Sequence, residues 1–220
     1  MKNKNLKLKI CGMKHPTNIS EVAALRPDYM GFIFYEKTPR FFEDEIPKLD
    51  PAIKKTGVFL NASVNDILEI VKKNKLQAVQ LHGGESAEFC RELQIIFSGM
   101  DKMEIIKVFS VKEEFDFSIV KEFEGNVDYF LFDTKGKTRG GTGERFNWEV
   151  LKDYPSSTPF FLSGGIGLDE VEAIKQLQQD LEQQGKPDVF YAIDVNSKFE
   201  KQPGIKDLEK LSAFRSQFKG

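Results

Sequence analysis

Short apolar runs, each followed by a polar stretch in which apolar positions return at helical spacing, recur eight times along the chain. The runs predict strands at 6–11, 29–34, 56–60, 78–82, 105–110, 129–133, 160–163 and 189–195. Several are apolar on both faces, as parallel strands covered by helices must be. The stretches between and after them predict helices at 18–25, 43–49, 64–73, 87–97, 113–123, 147–152, 168–184 and 205–218. Ser63, Ser86 and Asp169 stand where helices would start, and Gly125 and Gly185 where they would stop. Pro47 inside the second helical stretch counts against it. Strand starts lie about 25 residues apart, the length of one βα unit with its loops. Eight such units predict an α/β fold, a closed (β/α)8 TIM barrel forming a single domain over residues 1–220. An open doubly wound sheet is the competing topology. It would normally show a glycine-rich fingerprint after its first strand, which here ends Cys11-Gly12-Met13.

Composition narrows the partners more than the fold. With 220 residues, 40% hydrophobic and 30% charged, the chain can bury one sizeable core. Lys+Arg 32 against Asp+Glu 34 gives a net charge of -2, so no global field points to nucleic acid or an anionic membrane as partner. The basic N-terminal stretch has too short an apolar run for a signal peptide, and no stretch approaches the roughly 20 apolar residues of a spanning helix, which predicts a cytoplasmic protein. Cys11 and Cys90 support no disulfide framework, and with His15 and His82 they complete no metal-ligand spacing, so no metal site is expected.

In a barrel of this kind functional residues gather at the C-terminal ends of the strands. Period-two alternation places Leu8 and Ile10 on one face and Lys9 and Cys11 on the other, the lumen. Lys9 is then within ionic reach of Cys11 or Asp194, and a nearby cation would favour the thiolate. Taken alone, Cys11 reads first as a small buried hydrophobe, and Cys90, with no cation or strand end beside it, reads only so. Asp133 faces inward by the same alternation and is followed by a loop, 135–143, rich in glycine and cations. An apolar lumen disfavours a charged carboxylate, which suits a general acid. Gly164 and Gly165 after the seventh strand, with Asn196 and Ser197 after the eighth, stand where barrels commonly bind phosphate. Arg40 could clamp a carboxylate or be an ordinary solvated arginine, and His82 could donate to substrate or be structural.

The segments Lys9-Ile-Cys-Gly12, Gly31-Phe-Ile-Phe34 with Thr38-Pro-Arg40, Gly57-Val-Phe59, Val79-Gln-Leu-His-Gly83, Phe132-Asp-Thr134 with Gly140-Gly-Thr-Gly143, Leu162-Ser-Gly-Gly165, and Asp194-Val-Asn-Ser197 with Pro203-Gly204 occur in this order. Together they closely resemble the phosphoribosylanthranilate isomerase family, over Lys9 to about Asp207. The resemblance implies a cofactor-free Amadori rearrangement of N-(5-phosphoribosyl)anthranilate in tryptophan biosynthesis. It makes Asp133 the general acid and Cys11 the general base, with Arg40 on the anthranilate carboxylate and the phosphate held around Gly164, Gly165, Asn196 and Ser197. It implies a small phosphosugar-anthranilate substrate as the partner and a monomer or homodimer. The loop 135–143 would cover the sugar. The chain departs from the family at Lys198, where glycine is usual.

Three other readings compete. Lys107, given inward parity on the fifth strand, would suit a Schiff-base aldolase. A related sugar isomerase acting on a histidine precursor resembles a carboxylate pair where this chain has Cys11. A barrel kept only as a phosphate-ligand binding module would be expected to lack the acid or the base, and both are present.

Overall fold

The chain closes eight short parallel strands into a ring. In the computed structural model residues 5–100, 103–111, 115–134 and 148–218 are described. The strands are β1 (Lys7–Ile10), β2 (Tyr29–Ile33), β3 (Lys54–Phe59), β4 (Ala78–Leu81), β5 (Glu104–Val111), β6 (Tyr129–Thr134), β7 (Phe160–Ser163) and β8 (Phe190–Val195). Each pairs with its sequence neighbour, and β1 closes on β8 with Lys9 opposite Asp194. The predicted (β/α)8 barrel is therefore the observed fold.

Helices α1 (Pro16–Ala24), α2 (Val64–Asn74), α3 (Ala87–Phe97), α4 (Val171–Gln183) and α5 (Leu208–Ser216) cover the outside. Their starts follow local chemistry. Pro16 opens α1, where its missing N–H costs nothing, while Ser63 and Ser86 accept from the N–H of Asp66 and Phe89. Gly125 and Gly185 both adopt φ +77, the left-handed conformation that ends a helical turn. Asp169 does not cap; it lies inside a one-turn 3₁₀ helix, Leu168–Glu170, where Glu170 accepts instead from the Gly167 N–H.

Four predicted helices differ. Residues 43–49 are irregular, consistent with Pro47, and Phe41 instead bridges to Ile33 beside β2. The stretches after β5 and β6 form 3₁₀ turns, Phe117–Phe123 and Trp148–Asp153. Ile205 and Lys206 are not helical. They form β10 (Ile205–Lys206), antiparallel to β9 (Glu200–Gln202), in a hairpin turned by Pro203 and by Gly204 at φ +84.

Alternation sorts the strand residues into two clusters. Leu8, Ile10, Phe130 and Phe132 pack outward under the helices, while Ile106, Val108, Leu131, Phe161 and Ala192 fill the lumen. Since Ile106 and Val108 point inward, Lys107 between them points outward, contrary to the parity expected of it. Its ammonium donates to Glu85 (2.8 Å) and to the Gly83 carbonyl (2.8 Å), under the ring of Phe123. A Schiff-base lysine facing the lumen is thereby removed. At the N-terminal end the lumen is plugged: Tyr29 donates to Glu104 and meets the hydroxyl of Tyr191, which stacks on Tyr129.

Candidate functional site

At the opposite end a cavity of about 200 Å³ opens among the strand ends. Cys11, His82, Asp133, Gly164, Gly165, Asn196 and Ser197 all line it. A second cavity of about 220 Å³ sits near the start of β1, lined by Lys7, Asp28 and Arg215 among others, and holds none of these residues. In barrels the C-terminal end carries chemistry and the N-terminal end stability, so the first cavity is the site.

Cys11 enters it because β1 runs one residue further along β8: its N–H donates to the Val195 carbonyl at 2.9 Å. Room for the sulfur comes from Gly31 on β2, where a Cβ would lie 2.7 Å from Sγ. Gly12 then turns the chain at φ +75, squeezed between Asn196 and Arg40. Below Cys11, Lys9 donates to Asp194 at 3.0 Å, both side chains buried in the lumen as expected for Lys9. Burial pulls the Lys9 ammonium toward neutrality, but Asp194 and Cys11 reverse this and hold its pKa above the ordinary value.

That pairing corrects the expectation for the thiol. Burial pushes the Cys11 pKa up, outweighing the pull of Lys9, while the carboxylate of Asp194 raises it further. Burial therefore disfavours the Cys11 thiolate in the free protein.

Asp133, at the end of β6, is not in apolar surroundings. His82 Nε2 lies 3.4 Å from its Oδ2. On the other side of the ring, Gln80 Nε2 is 3.3 Å from His82 Nδ1. With the amide so oriented, a donor on Nδ1 leaves the neutral ring's proton on Nε2, toward Asp133. Gln80, which lines the cavity, has its Oε1 buried without a hydrogen-bond partner among the described residues, and so has Thr56 Oγ1 on β3, outside the cavity lining.

Gly164 and Gly165 follow β7 at φ 96 and φ 65, and the space above Gly165 is open. With no side chain above it, the Gly165 backbone leaves room for an anion. Ser197 begins a 3₁₀ turn, Ser197–Phe199, on the facing loop, and Lys198 also lines the cavity. The loop 135–143 lies outside the described residues.

Arg40 is placed differently from the rest. It packs against Gly12 at the rim, and its guanidinium is bound edge-on by Glu200, with Nε to Oε1 at 2.9 Å and Nη2 to Oε2 at 2.6 Å. Glu200 also receives Lys206 at 2.8 Å, and Lys206 donates to Asn196 Oδ1 at 2.7 Å. Burial works against the Glu200 carboxylate, but Arg40 and Lys206 hold its pKa below the usual range. Neither Glu200 nor Lys206 was singled out from the sequence. Lys206 had been placed in a helix, where its burial could not be read; Pro203-Gly204 was the available sign of a hairpin. Asn61, just after β3, accepts from the Gly84 N–H at 2.7 Å and serves its loop.

A closed parallel barrel with a titratable cavity at the C-terminal ends of its strands defines a (β/α)8-barrel enzyme. The family profile "N-(5'phosphoribosyl)anthranilate (PRA) isomerase" matches residues 8–217. The chain is 43% identical, over 96% of its length and 92% of the other, to the N-(5'-phosphoribosyl)anthranilate isomerase of Parabacteroides distasonis. Among solved structures it is similar to the phosphoribosyl anthranilate isomerase of Thermus thermophilus (TM-score 0.77, 24% identity, 96% and 98% of the two chains). It is also similar to a phosphoribosyl anthranilate isomerase in complex with reduced 1-(o-carboxyphenylamino)-1-deoxyribulose 5-phosphate (TM-score 0.69, 25% identity, 96% and 97%). The chain belongs to the N-(5'-phosphoribosyl)anthranilate isomerase family. It is an isomerase of tryptophan biosynthesis that carries out the Amadori rearrangement of N-(5-phosphoribosyl)anthranilate. Among the described residues no helix is long and apolar enough to cross a membrane.

Proposed function

We propose that Asp133 and Cys11 are the acid and base of this rearrangement. The observation that carries the assignment is that both line one cavity from β6 and β1, three strand positions apart around the closed ring. A sugar seated between them presents its ring oxygen to one and its C2 to the other. Asp133 gives its proton to the furanose oxygen, the C1–O bond breaks, and the nitrogen lone pair forms the iminium. Cys11, acting as the thiolate once its own proton has left to solvent, removes the C2 proton; the C–H electrons become the C1=C2 bond of an enolamine and the C=N electrons return to nitrogen. Returning that proton to C1, and the enol proton to Asp133, yields the 2-ketone with both residues reset. No electrons leave the substrate, so no redox cofactor is required.

The thiol's raised pKa fits this order. The iminium places a positive charge one bond from C2, which favours the thiolate when it is needed. His82 fixes Asp133 and reaches a sugar hydroxyl. Backbone around Gly164, Gly165, Asn196 and Ser197 holds the phosphate, and Arg40 the anthranilate carboxylate. The partner is this small phosphosugar-anthranilate, not nucleic acid or a membrane, and the protein acts as a monomer or homodimer. Two free, buried cysteines suit a cytoplasmic location.

The test is loss of anthranilate fluorescence from freshly made substrate. Asp133→Asn and Cys11→Ala are each expected to lower kcat by about a thousandfold or more, with folding and ligand binding largely kept. Near-normal turnover in either variant removes its role.

A further inference from the structure

We propose that Glu200 is a positioning residue for substrate specificity: it pins one edge of Arg40 so that the other edge receives the aryl carboxylate, and through Lys206 and Asn196 it ties that clamp to the phosphate loop. The inference rests on the assignment of Arg40 above. A guanidinium presents five N–H donors in a rigid fork with two usable edges. Glu200 takes the edge formed by Nε and Nη2, at 2.9, 3.1 and 2.6 Å. Among the described residues Nη1 has no hydrogen-bond partner, so the Nη1/Nη2 edge is available for a second, bidentate carboxylate.

Charge explains why Lys206 belongs to the arrangement. Arg40 against Glu200 alone is neutral and would offer an incoming carboxylate no net attraction. Lys206, buried and 2.8 Å from Glu200 Oε1, makes the cluster two cations against one carboxylate, a net single positive charge. The same ammonium holds Asn196 Oδ1, and the Gly204 N–H donates to Glu200 Oε1, so the hairpin β9–β10 carries the whole cluster. Gly12 lets Asn196 and Arg40 come this close, since a Cβ there would lie 2.6 Å from Asn196 Oδ1 and 2.9 Å from Arg40 Cδ. A long arginine fixed in this way gives up little conformational freedom on binding, which is where its contribution to affinity arises.

The probes are reduced 1-(o-carboxyphenylamino)-1-deoxyribulose 5-phosphate and its phenylamino counterpart lacking the carboxyl group, titrated calorimetrically into the full chain. In Glu200→Gln the carboxylated probe is expected to bind about tenfold more weakly while the phenylamino probe changes by less than about twofold. In turnover, KM rises by a similar factor with kcat nearly kept. Should Glu200→Gln fold poorly because Lys206 is left without its carboxylate, the Glu200→Gln/Lys206→Met double variant is expected to show the same selective loss. Equal weakening of both probes, or none, overturns the proposal. Arg40→Ala separates the two layers of the argument. If the preference for the carboxylated probe survives Arg40→Ala, the assignment of Arg40 fails. If it vanishes there but persists in Glu200→Gln, only the positioning role fails.

Discussion

The two ends of one lumen are built from the same strands yet filled in opposite ways. At the N-terminal end β2 and β6 begin with Tyr29 and Tyr129, and Tyr191 on β8 joins them over Phe161, so rings occupy the space. Lys54 and Glu104 close the plug with an ion pair. At the C-terminal end the inward positions hold Cys11, Asp133, Ser163 and Asp194, short side chains around which a cavity remains. Burial acts on titratable groups at both ends, since it pushes the Tyr29 and Tyr129 hydroxyls far above their ordinary range and also raises the Cys11 thiol. The outcome differs because the tyrosines are already satisfied by one another and by Glu104, whereas the cavity leaves the thiol open to a substrate's charge. Side-chain volume, more than local pKa, decides which end does chemistry.

Substitutions along the lumen sharpen that contrast. Midway, Lys9→Met leaves Asp194 buried and unpaired, and is expected to cost about 3–5 kcal/mol in denaturant unfolding, much of it recovered in Lys9→Met/Asp194→Asn. A loss below about 1 kcal/mol would mean that the pair is not shielded as described. At the open end, Gly31→Ala drives a methyl group against the Cys11 sulfur and is expected to lower kcat by about a hundredfold, a larger effect on rate than on folding. At the closed end, Tyr29→Phe removes the hydroxyl shared by Glu104, Tyr191 and Lys54; about 1 kcal/mol of stability is expected to go while kcat stays unchanged. A fall in kcat for Tyr29→Phe as large as that for Gly31→Ala would dissolve the distinction between the ends.

The strand ring and its faces were legible because alternation holds along β1 and β6, which are buried on both sides. Leu8 and Ile10 outside, Lys9 and Cys11 inside, and Leu131 and Asp133 inside follow from period two alone. Lys107 was misread since a lysine among apolar residues looks like a lumen group until Glu85, far away in sequence, is seen to neutralise it. The Glu200–Lys206 cluster was hidden for a related reason: its partners come from β2's loop, β8's loop and a hairpin, and no local pattern records contacts over 160 residues. The Cys11 thiol was placed well but its state was not, because Lys9 was visible from its position whereas its commitment to Asp194 depended on the closure of β1 onto β8.

That state gives the smallest effect and the most direct check on the contrast between the ends. Because the folded pKa of Cys11 lies above the ordinary 9.0, the thiolate fraction at neutral pH is small and grows as pH climbs toward and through the raised value. Carboxamidomethylation of Cys11, followed by mass spectrometry in a Cys90→Ser background, is expected to quicken by about tenfold per pH unit and to keep rising past pH 9.0. The background is chosen because Cys90 is itself buried, with its thiol pushed up to about 11. In Asp194→Asn the carboxylate that opposes the thiolate is gone and Lys9 acts on the sulfur alone, so the rise should begin at lower pH. A rate that levels off well below pH 9.0 in the parent chain would show that Lys9 outweighs burial, and that the thiolate exists before any substrate charge arrives.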